Sequence, residues 1–192
     1  VDYKTGTKKF DLREVYYGLD CQMLLYLFTL ERNGGHLFSQ GTAAGVEYLW
    51  ADPAPENIIR PETDDAEPSQ AQNYPLEGLL LDEPSIYHAM DTRGTGAFVP
   101  LSFSAKTGEP TAQSAKARLA FREKINRIRD HLDGMLTDMA KNLYSGEIDA
   151  APLVPNAGKS PCLWCEYRTV CRHADGEGER TPLKPDDPFG AE

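Results

Sequence analysis

Apolar and polar side chains alternate over residues 43–50, and this period of two predicts a β-strand. The alternating positions are Val46, Glu47, Tyr48, Leu49 and Trp50. Residues 1–4 predict the end of an earlier strand, because the turn-forming sequence Thr-Gly-Thr follows them directly. A further strand is predicted over residues 98–103.

Two segments have the longer period of a helix. The first leads from about residue 10 to Arg32, and Asn33-Gly34-Gly35 marks its end. Gln22 and Tyr26 are four residues apart, so they lie on one face of this helix. The second covers roughly residues 112–144 and carries an apolar stripe that we interpret as core packing, with Gly146 as its C-terminal cap. The stripe consists of Leu119, Ile125, Ile128, Leu132, Met135, Met139 and Leu143.

The rest of the chain holds one short helix and two irregular segments. Asp82 is expected to cap a helix over residues 84–90. Residues 51–75 contain five prolines and no periodicity, which predicts an acidic loop insertion. Residues 176–192 predict a flexible tail. Strands alternating with helices indicate an α/β fold, with one domain over residues 1–175.

Composition limits the classes of protein that fit. An apolar content of 40% and a charged content of 26% are those of a globular protein. No apolar run approaches the ~20 residues that span a bilayer. The net charge of −10 argues against a general nucleic-acid-binding surface. Residues 116–129 nevertheless hold six Lys or Arg against one Glu, and this cluster fits either a phosphate-facing stripe or a solvated helix face.

The first strand carries the chemistry of a metal-dependent nuclease. Phosphodiester hydrolysis needs a divalent cation, and Mg²⁺ prefers carboxylate and carbonyl oxygens. Asp2 and Lys4 alternate along a strand, so Asp2 can hold the metal while Lys4 orients water or stabilises charge, and the Tyr3 carbonyl can join the metal. Alone, the pair also fits an edge-strand surface pair, and Gln22 with Tyr26 also fits a satisfied helix–helix contact.

Three cysteines near the C-terminus suggest a second metal site. Cys162, Cys165 and Cys171 are spaced C-x₂-C-x₅-C, which is typical of metal ligation in a reducing compartment such as the cytoplasm. Zinc would take His173 as a fourth ligand, whereas an iron–sulfur cluster normally needs a fourth Cys. Cys21 is interpreted as an inert buried side chain.

These motifs resemble a known family. Val-Asp-Tyr-Lys-Thr-Gly followed by Gln-x-x-x-Tyr is similar to the RecB-like branch of the PD-(D/E)XK nuclease superfamily. The resemblance implies a restriction-endonuclease-like core in which Asp2, Lys4, Gln22 and Tyr26 are catalytic. The family has a further metal-binding Asp on the preceding strand, and often a His upstream. Because neither precedes Val1, we expect a core truncated at its amino end, a piece of a longer protein that is inactive by itself.

The cysteine segment narrows the resemblance. Pro-Cys-x-x-Cys-x-Tyr-Arg-x-x-Cys over residues 161–171 is similar to the C-terminal end of the AddB family, whose members belong to helicase–nucleases that process DNA breaks. That similarity implies Mg²⁺, a [4Fe–4S] cluster held by Cys162, Cys165, Cys171 and a distant fourth Cys, an AddA-like partner and DNA as substrate. The alternatives are another Fe–S-stapled RecB-like exonuclease, or a non-catalytic DNA- or protein-binding module with a zinc knob.

Overall fold

The fold is that of a computed structural model of the 192-residue chain. The structure describes residues 2–4, 9–36, 41–50, 76–154, 160–171, 173, 178–182 and 187–190. The predicted loop insertion at 51–75 lies outside these residues. The chain divides into two compact units, the first formed by Val1–Asp11 with Asp20–Arg129 and the second by Leu12–Leu19 with Asp130–Glu192.

In the described residues, the first unit is built on a four-stranded sheet in the order β1-β2-β3-β4. Strand β1 pairs in parallel with β2, β2 pairs antiparallel with β3, and β3 pairs in parallel with β4. The α/β prediction is therefore confirmed. The strands are β1 (Asp2–Lys4), β2 (Gly45–Trp50), β3 (Leu76–Leu81) and β4 (Leu119–Ala120).

Six helices accompany the strands in the described residues. The short helix predicted at residues 84–90 is confirmed, although its N-cap is Glu83 and not Asp82, and the Glu83 side chain makes no capping hydrogen bond. The helices are α1 (Leu12–Tyr16), α2 (Gln22–Asn33), α3 (Pro84–Met90), α4 (Ala112–Arg118), α5 (Arg122–Ser145) and α6 (Arg168–Cys171). Within the described part of the chain, no helix combines the length and apolarity that crossing a membrane requires.

The first predicted helix is wrong in its extent, because a turn divides it into α1 and α2. The turn contains Gly18 at φ 83° and Asp20 at φ 55°, both in the left-handed region that interrupts a right-handed helix. Helix α2 ends at Asn33 as predicted, and a 3₁₀ turn over Gly34–His36 follows it.

The second predicted helix is also wrong in its extent. Leu119 adopts an extended backbone at φ −109° and ψ 145°, so the segment leaves α4, forms β4 and only then begins α5. Pairing of Leu119 with Leu80 in the sheet outweighs the local helical period. Gly146 does cap α5 in the left-handed region at φ 78°, as its sequence position indicated.

The core of the first unit lies against β3 and α3. Leu80, Tyr87, Val99 and Leu101 form a buried cluster, and the partly buried Phe103 and Leu119 pack against it. The strand predicted at 98–103 is wrong, because residues 98–100 form bends, residues 101 and 102 have no regular structure, and Phe103 alone makes a β-bridge, to Pro110. Val99 and Leu101 are nevertheless buried in the core, although their backbone does not pair with a strand.

In the second unit, α1 carries an aromatic cluster. The Tyr16 ring stacks on the His131 imidazole with centroids 4.7 Å apart, and the Phe189 ring meets both edge-on at 5.8 and 5.4 Å. His131 Nε2 also lies 2.9 Å from the Tyr16 carbonyl oxygen. Phe189 is buried here, while the flexibility predicted for residues 176–192 remains a prediction.

Candidate nuclease site

The strand that carries the Asp-x-Lys motif is held by β2. The Cα of Asp2 pairs with that of Tyr48, and the Cα of Lys4 pairs with that of Trp50. The side chains of Asp2, Tyr3 and Lys4 lie outside the described part of the chain, so their catalytic roles remain predictions. Among the described strands, their backbone lies at one edge of the sheet, next to β2, which α2 contacts.

Gln22 and Tyr26 form a hydrogen-bonded pair on the surface of α2. Gln22 Nε2 donates to Tyr26 Oη at 2.9 Å, and the Tyr26 residue is 55% exposed. Their four-residue spacing on one helix face produces this contact, as the sequence indicated. Because both side chains are exposed, the alternative of a satisfied helix–helix contact does not describe them. The amide oxygen and second N–H of Gln22 and the O–H of Tyr26 therefore remain available to a polar ligand at the start of α2.

The opposite end of α2 is joined to the segment that enters β2. Glu31 Oε1 accepts the backbone N–H of Ala43 at 2.8 Å, and the Arg122 guanidinium donates to the Ala43 carbonyl at 2.8 Å. Arg129 lies 3.7 Å from the other carboxylate oxygen of Glu31. Through the buried residue Ala43, these contacts connect α2 and α5 to the segment that leads into β2.

The basic cluster at residues 116–129 is partly used within the protein. Arg118 forms an ion pair with Glu77, Arg122 binds the Ala43 carbonyl, and Arg129 approaches Glu31. At least half of the six basic residues thus have intramolecular carboxylate or carbonyl partners. The interpretation as an open phosphate-binding stripe is weakened accordingly.

Glu47 is a residue whose burial the sequence pattern did not reveal. It lies on the inner strand β2 with its residue 5% exposed, and its Oε1 has no hydrogen-bond partner among the residues that the structure describes. Burial raises the pKa of Glu47 to about 7. Glu47 pairs with Gly78 on β3, and β2 has a paired strand on each side, so it is an inner strand of the sheet.

The cysteine segment follows Ser160, which caps a 3₁₀ turn over Pro161–Trp164. Cys162 is half-buried, Cys165 and Cys171 are exposed, and all three thiols are free. Across the described residues, no group of three or more His, Cys, Asp or Glu is placed to hold a metal ion. Three thiols are also fewer than the four ligands of a [4Fe–4S] cluster, so the residues present do not fit that group by themselves.

His173 and Cys21 complete the set of predicted ligand-type residues. The Nε2 atom of His173 is buried and has no hydrogen-bond partner within the described ranges. Cys21 is buried as predicted, and burial raises the pKa of its thiol, which keeps it in the unreactive neutral form.

Comparison with known proteins relates these motifs to one family. The family model described as the PD-(D/E)XK nuclease superfamily matches residues 1–172. Among curated proteins, the B subunit of an ATP-dependent helicase/deoxyribonuclease from Clostridium botulinum (strain Loch Maree / Type A3) is 30% identical over 176 residues. Proteins of the same name from Exiguobacterium sibiricum and Thermoanaerobacter pseudethanolicus are 30% and 29% identical, each over 179 residues. Each match covers 90% of this chain but 15% of the relative's length.

Proposed function

The chain belongs to the PD-(D/E)XK nuclease superfamily, and from this premise we propose that it is the nuclease domain of an AddB-like helicase–nuclease protein that cleaves DNA. The observation that carries the proposal is the parallel β1–β2 pair connected through α2. This connection brings the Asp2–Lys4 strand and the exposed Gln22–Tyr26 pair into one structural unit.

Each residue of the motif has a distinct role in the proposed reaction. Asp2 and the Tyr3 carbonyl would hold a divalent metal ion, for which Mg²⁺ is the proposed choice. Lys4 orients the attacking water and stabilises negative charge on the phosphoryl oxygens. Gln22 and Tyr26 separate from each other and donate hydrogen bonds to the DNA backbone.

The donor chemistry of Asp2 and Tyr3 suits Mg²⁺. Magnesium is commonly bound by one or two carboxylates together with substrate phosphates. When bound, Mg²⁺ polarises the phosphoryl oxygen and helps to ionise water. With one carboxylate in the motif, metal affinity is low, and we propose that the 192-residue chain by itself cleaves DNA poorly or not at all.

A Lys4→Ala variant of the full-length protein tests the proposal. Cleavage of a labelled DNA duplex in Mg²⁺ is expected to be lost, because removing one stabiliser of transition-state charge costs about 10²–10³-fold in rate. DNA binding, measured by fluorescence anisotropy in EDTA, is expected to stay within about threefold, since a single phosphate-facing charge contributes little of the total affinity.

Lys9→Ala is the matched control, because Lys9 is an exposed lysine close to the motif but outside it. It should cleave like the wild type. Full cleavage by Lys4→Ala would refute the role given to Lys4. Binding of DNA without cleavage by the wild type would instead favour a non-catalytic binding module.

The intact protein has further proposed partners. The relatives are named as B subunits of an ATP-dependent helicase/deoxyribonuclease, and from this we propose ATP-driven DNA unwinding by other parts of the polypeptide and a heterodimer with an AddA-like protein in the cytoplasm. Co-purification of a second helicase–nuclease protein with the tagged full-length chain is the expected result. A monomer with full nuclease activity would contradict this assembly.

We propose that Cys162, Cys165 and Cys171 supply three ligands of a [4Fe–4S] cluster in the intact protein. Their free thiols and C-x₂-C-x₅-C spacing support the proposal. Anaerobically purified full-length protein should contain about four irons and absorb near ~400 nm. Zinc is the second candidate, favoured by the unpartnered Nε2 of His173 within the described ranges. A colourless protein with one zinc, lost in His173→Ala, would select it.

A further inference from the structure

Helices α2 and α5 each hydrogen-bond to one polar backbone group of Ala43, the residue two positions before β2. Glu31 Oε1 accepts the Ala43 N–H at 2.8 Å, and Arg122 donates to the Ala43 carbonyl at 2.8 Å. Ala43 is 3% exposed, so neither backbone group can rely on water in place of these bonds. Charge-assisted hydrogen bonds of this kind are shorter and stronger than neutral ones.

The Ala43 backbone is itself fixed to the sheet. The adjacent Ala44 carbonyl accepts the backbone N–H of Leu81 at 2.7 Å, which continues the β2–β3 ladder by one step. Gly45 then pairs with Leu80 as the first residue of β2. Glu31 therefore connects α2 to a part of the backbone that the central strands already hold.

A change at the Glu31 end of α2 would be amplified at the other end of the helix, where Gln22 and Tyr26 lie. Gln22 and Tyr26 precede Glu31 by nine and five residues on the same continuous helix. At 1.5 Å per residue, Gln22 lies about 14 Å along the axis from Glu31. A tilt of about 10° about the attached end would therefore move Gln22 by roughly 2 Å and Tyr26 by roughly 1 Å. Misplacement of about 1 Å at a reacting centre can lower a rate by about 10²-fold.

We propose that Glu31 and Arg122 are positioning residues of the nuclease site. By hydrogen-bonding to the two backbone groups of Ala43 they fix the angle of α2 relative to β2, and thus the place of Gln22 and Tyr26 relative to the sheet that contains the Asp2–Lys4 strand. Neither side chain touches the substrate. The inference rests on the proposed function, since it assigns these residues to the same site.

The test compares Glu31→Ala, Glu31→Gln and Arg122→Ala in the full-length protein. Glu31→Ala removes the acceptor of the Ala43 N–H and should lower kcat for duplex cleavage about 10- to 100-fold with KM within about threefold. Glu31→Gln keeps an oxygen acceptor in the same place, so its kcat should recover to within about threefold of the wild type. Arg122→Ala should lower kcat like Glu31→Ala. The kcat of the double Ala variant should be about that of the less active single variant, because the two hydrogen bonds hold the same residue, Ala43.

Arg118→Ala is the matched control. Arg118 pairs with Glu77 in the same unit, with 23% and 14% of the two side chains exposed, and this pair joins α4 to β3 without involving α2. It should lower the unfolding midpoint about as much as Glu31→Ala while leaving kcat unchanged. If Glu31→Ala does not fold, the Glu31→Gln and Arg122→Ala variants decide the matter.

The outcomes separate this inference from the proposed function. Retention of kcat in both Glu31→Ala and Arg122→Ala, at reduced stability, would overturn the inference. Equal loss in Glu31→Gln and Glu31→Ala would also overturn it, because the acceptor oxygen would then be irrelevant. If Lys4→Ala cleaves like the wild type, the proposed function fails whatever these variants do. If Lys4→Ala is inactive and Glu31→Ala resembles Arg118→Ala, only the positioning role fails.

Discussion

Replacing the buried Glu47 carboxyl with an amide should change how the stability of this chain depends on pH. Glu47 lies 5% exposed on β2, its Oε1 lacks a hydrogen-bond partner in the described residues, and burial raises its pKa from 4.5 to about 7. The neutral form is thus favoured in the folded state. Glu47→Gln keeps the shape of the side chain but cannot ionise.

The pKa values of Glu47 in the unfolded and folded states determine how the unfolding free energy changes with pH. Below pH 4.5 the side chain is protonated in both the folded and the unfolded state, so its full contribution to stability is present. As the pH rises from 4.5 to about 7, only the unfolded state loses the proton, and stability falls. The pKa difference of about 2.5, at 1.36 kcal/mol per pKa unit, amounts to about 3 kcal/mol.

Urea unfolding at pH 5 and pH 8, followed by tryptophan fluorescence, measures this effect. Between these two pH values the wild type should lose about 2–3 kcal/mol more unfolding free energy than Glu47→Gln does. A constant offset between the proteins, caused by burying the amide, does not affect that comparison. Glu123→Gln, at an exposed carboxylate on α5, is the control and should follow the wild type. Equal pH dependence in the wild type and Glu47→Gln would refute the raised pKa and the burial that causes it.

Two further substitutions test the backbone geometry of the first unit. Asp91 is 2% exposed and accepts hydrogen bonds from the Gly96 N–H at 2.6 Å and from the Thr95 hydroxyl at 3.2 Å. Burial raises the pKa of Asp91, but the hydrogen bonds outweigh burial, so the pKa is lowered. Asp91→Ala should therefore cost roughly 3 kcal/mol above pH 5, and the cost should shrink as the pH falls below 3.8, which urea unfolding at pH 3 and pH 6 can measure. An equal cost at both pH values would contradict the lowered pKa. Gly78→Ala should lower the unfolding free energy by about 1–3 kcal/mol, because a Cβ there would overlap the Val46 carbonyl oxygen across the β2–β3 pair. An unchanged urea midpoint would contradict the close approach of Gly78 to the Val46 carbonyl oxygen.

Residues close together in the sequence were predicted well. The strand at β2, the helix at α3, the Gln22–Tyr26 pair and the Gly146 cap each depend on a period or a preference that acts over a few residues. The Asp-x-Lys and Gln-x-x-x-Tyr motifs predicted the nuclease superfamily correctly, because each is a short-range pattern that can be recognised without the tertiary structure.

The apolar stripe of α5 shows where a local pattern stops being informative. Its first members, Ile125, Ile128 and Leu132, are buried, whereas Met139 and Leu143 are 55% and 74% exposed. A helical period indicates which face is apolar but not whether another element covers that face. The prediction of core packing is therefore confirmed for the first part of the stripe and wrong for the second.

Sequence alone determined the residue types of the nuclease motif, the α/β class and the spacing of the three cysteines. Tertiary structure decided that Leu119 joins a sheet, that the carboxyl of Glu47 is enclosed, and that Glu31 and Arg122 meet at Ala43. The last two residues are 91 positions apart, and no local preference connects them. Contacts of this kind depend on how separate elements pack, because each buried polar group takes whichever partner the complete fold brings within hydrogen-bonding distance.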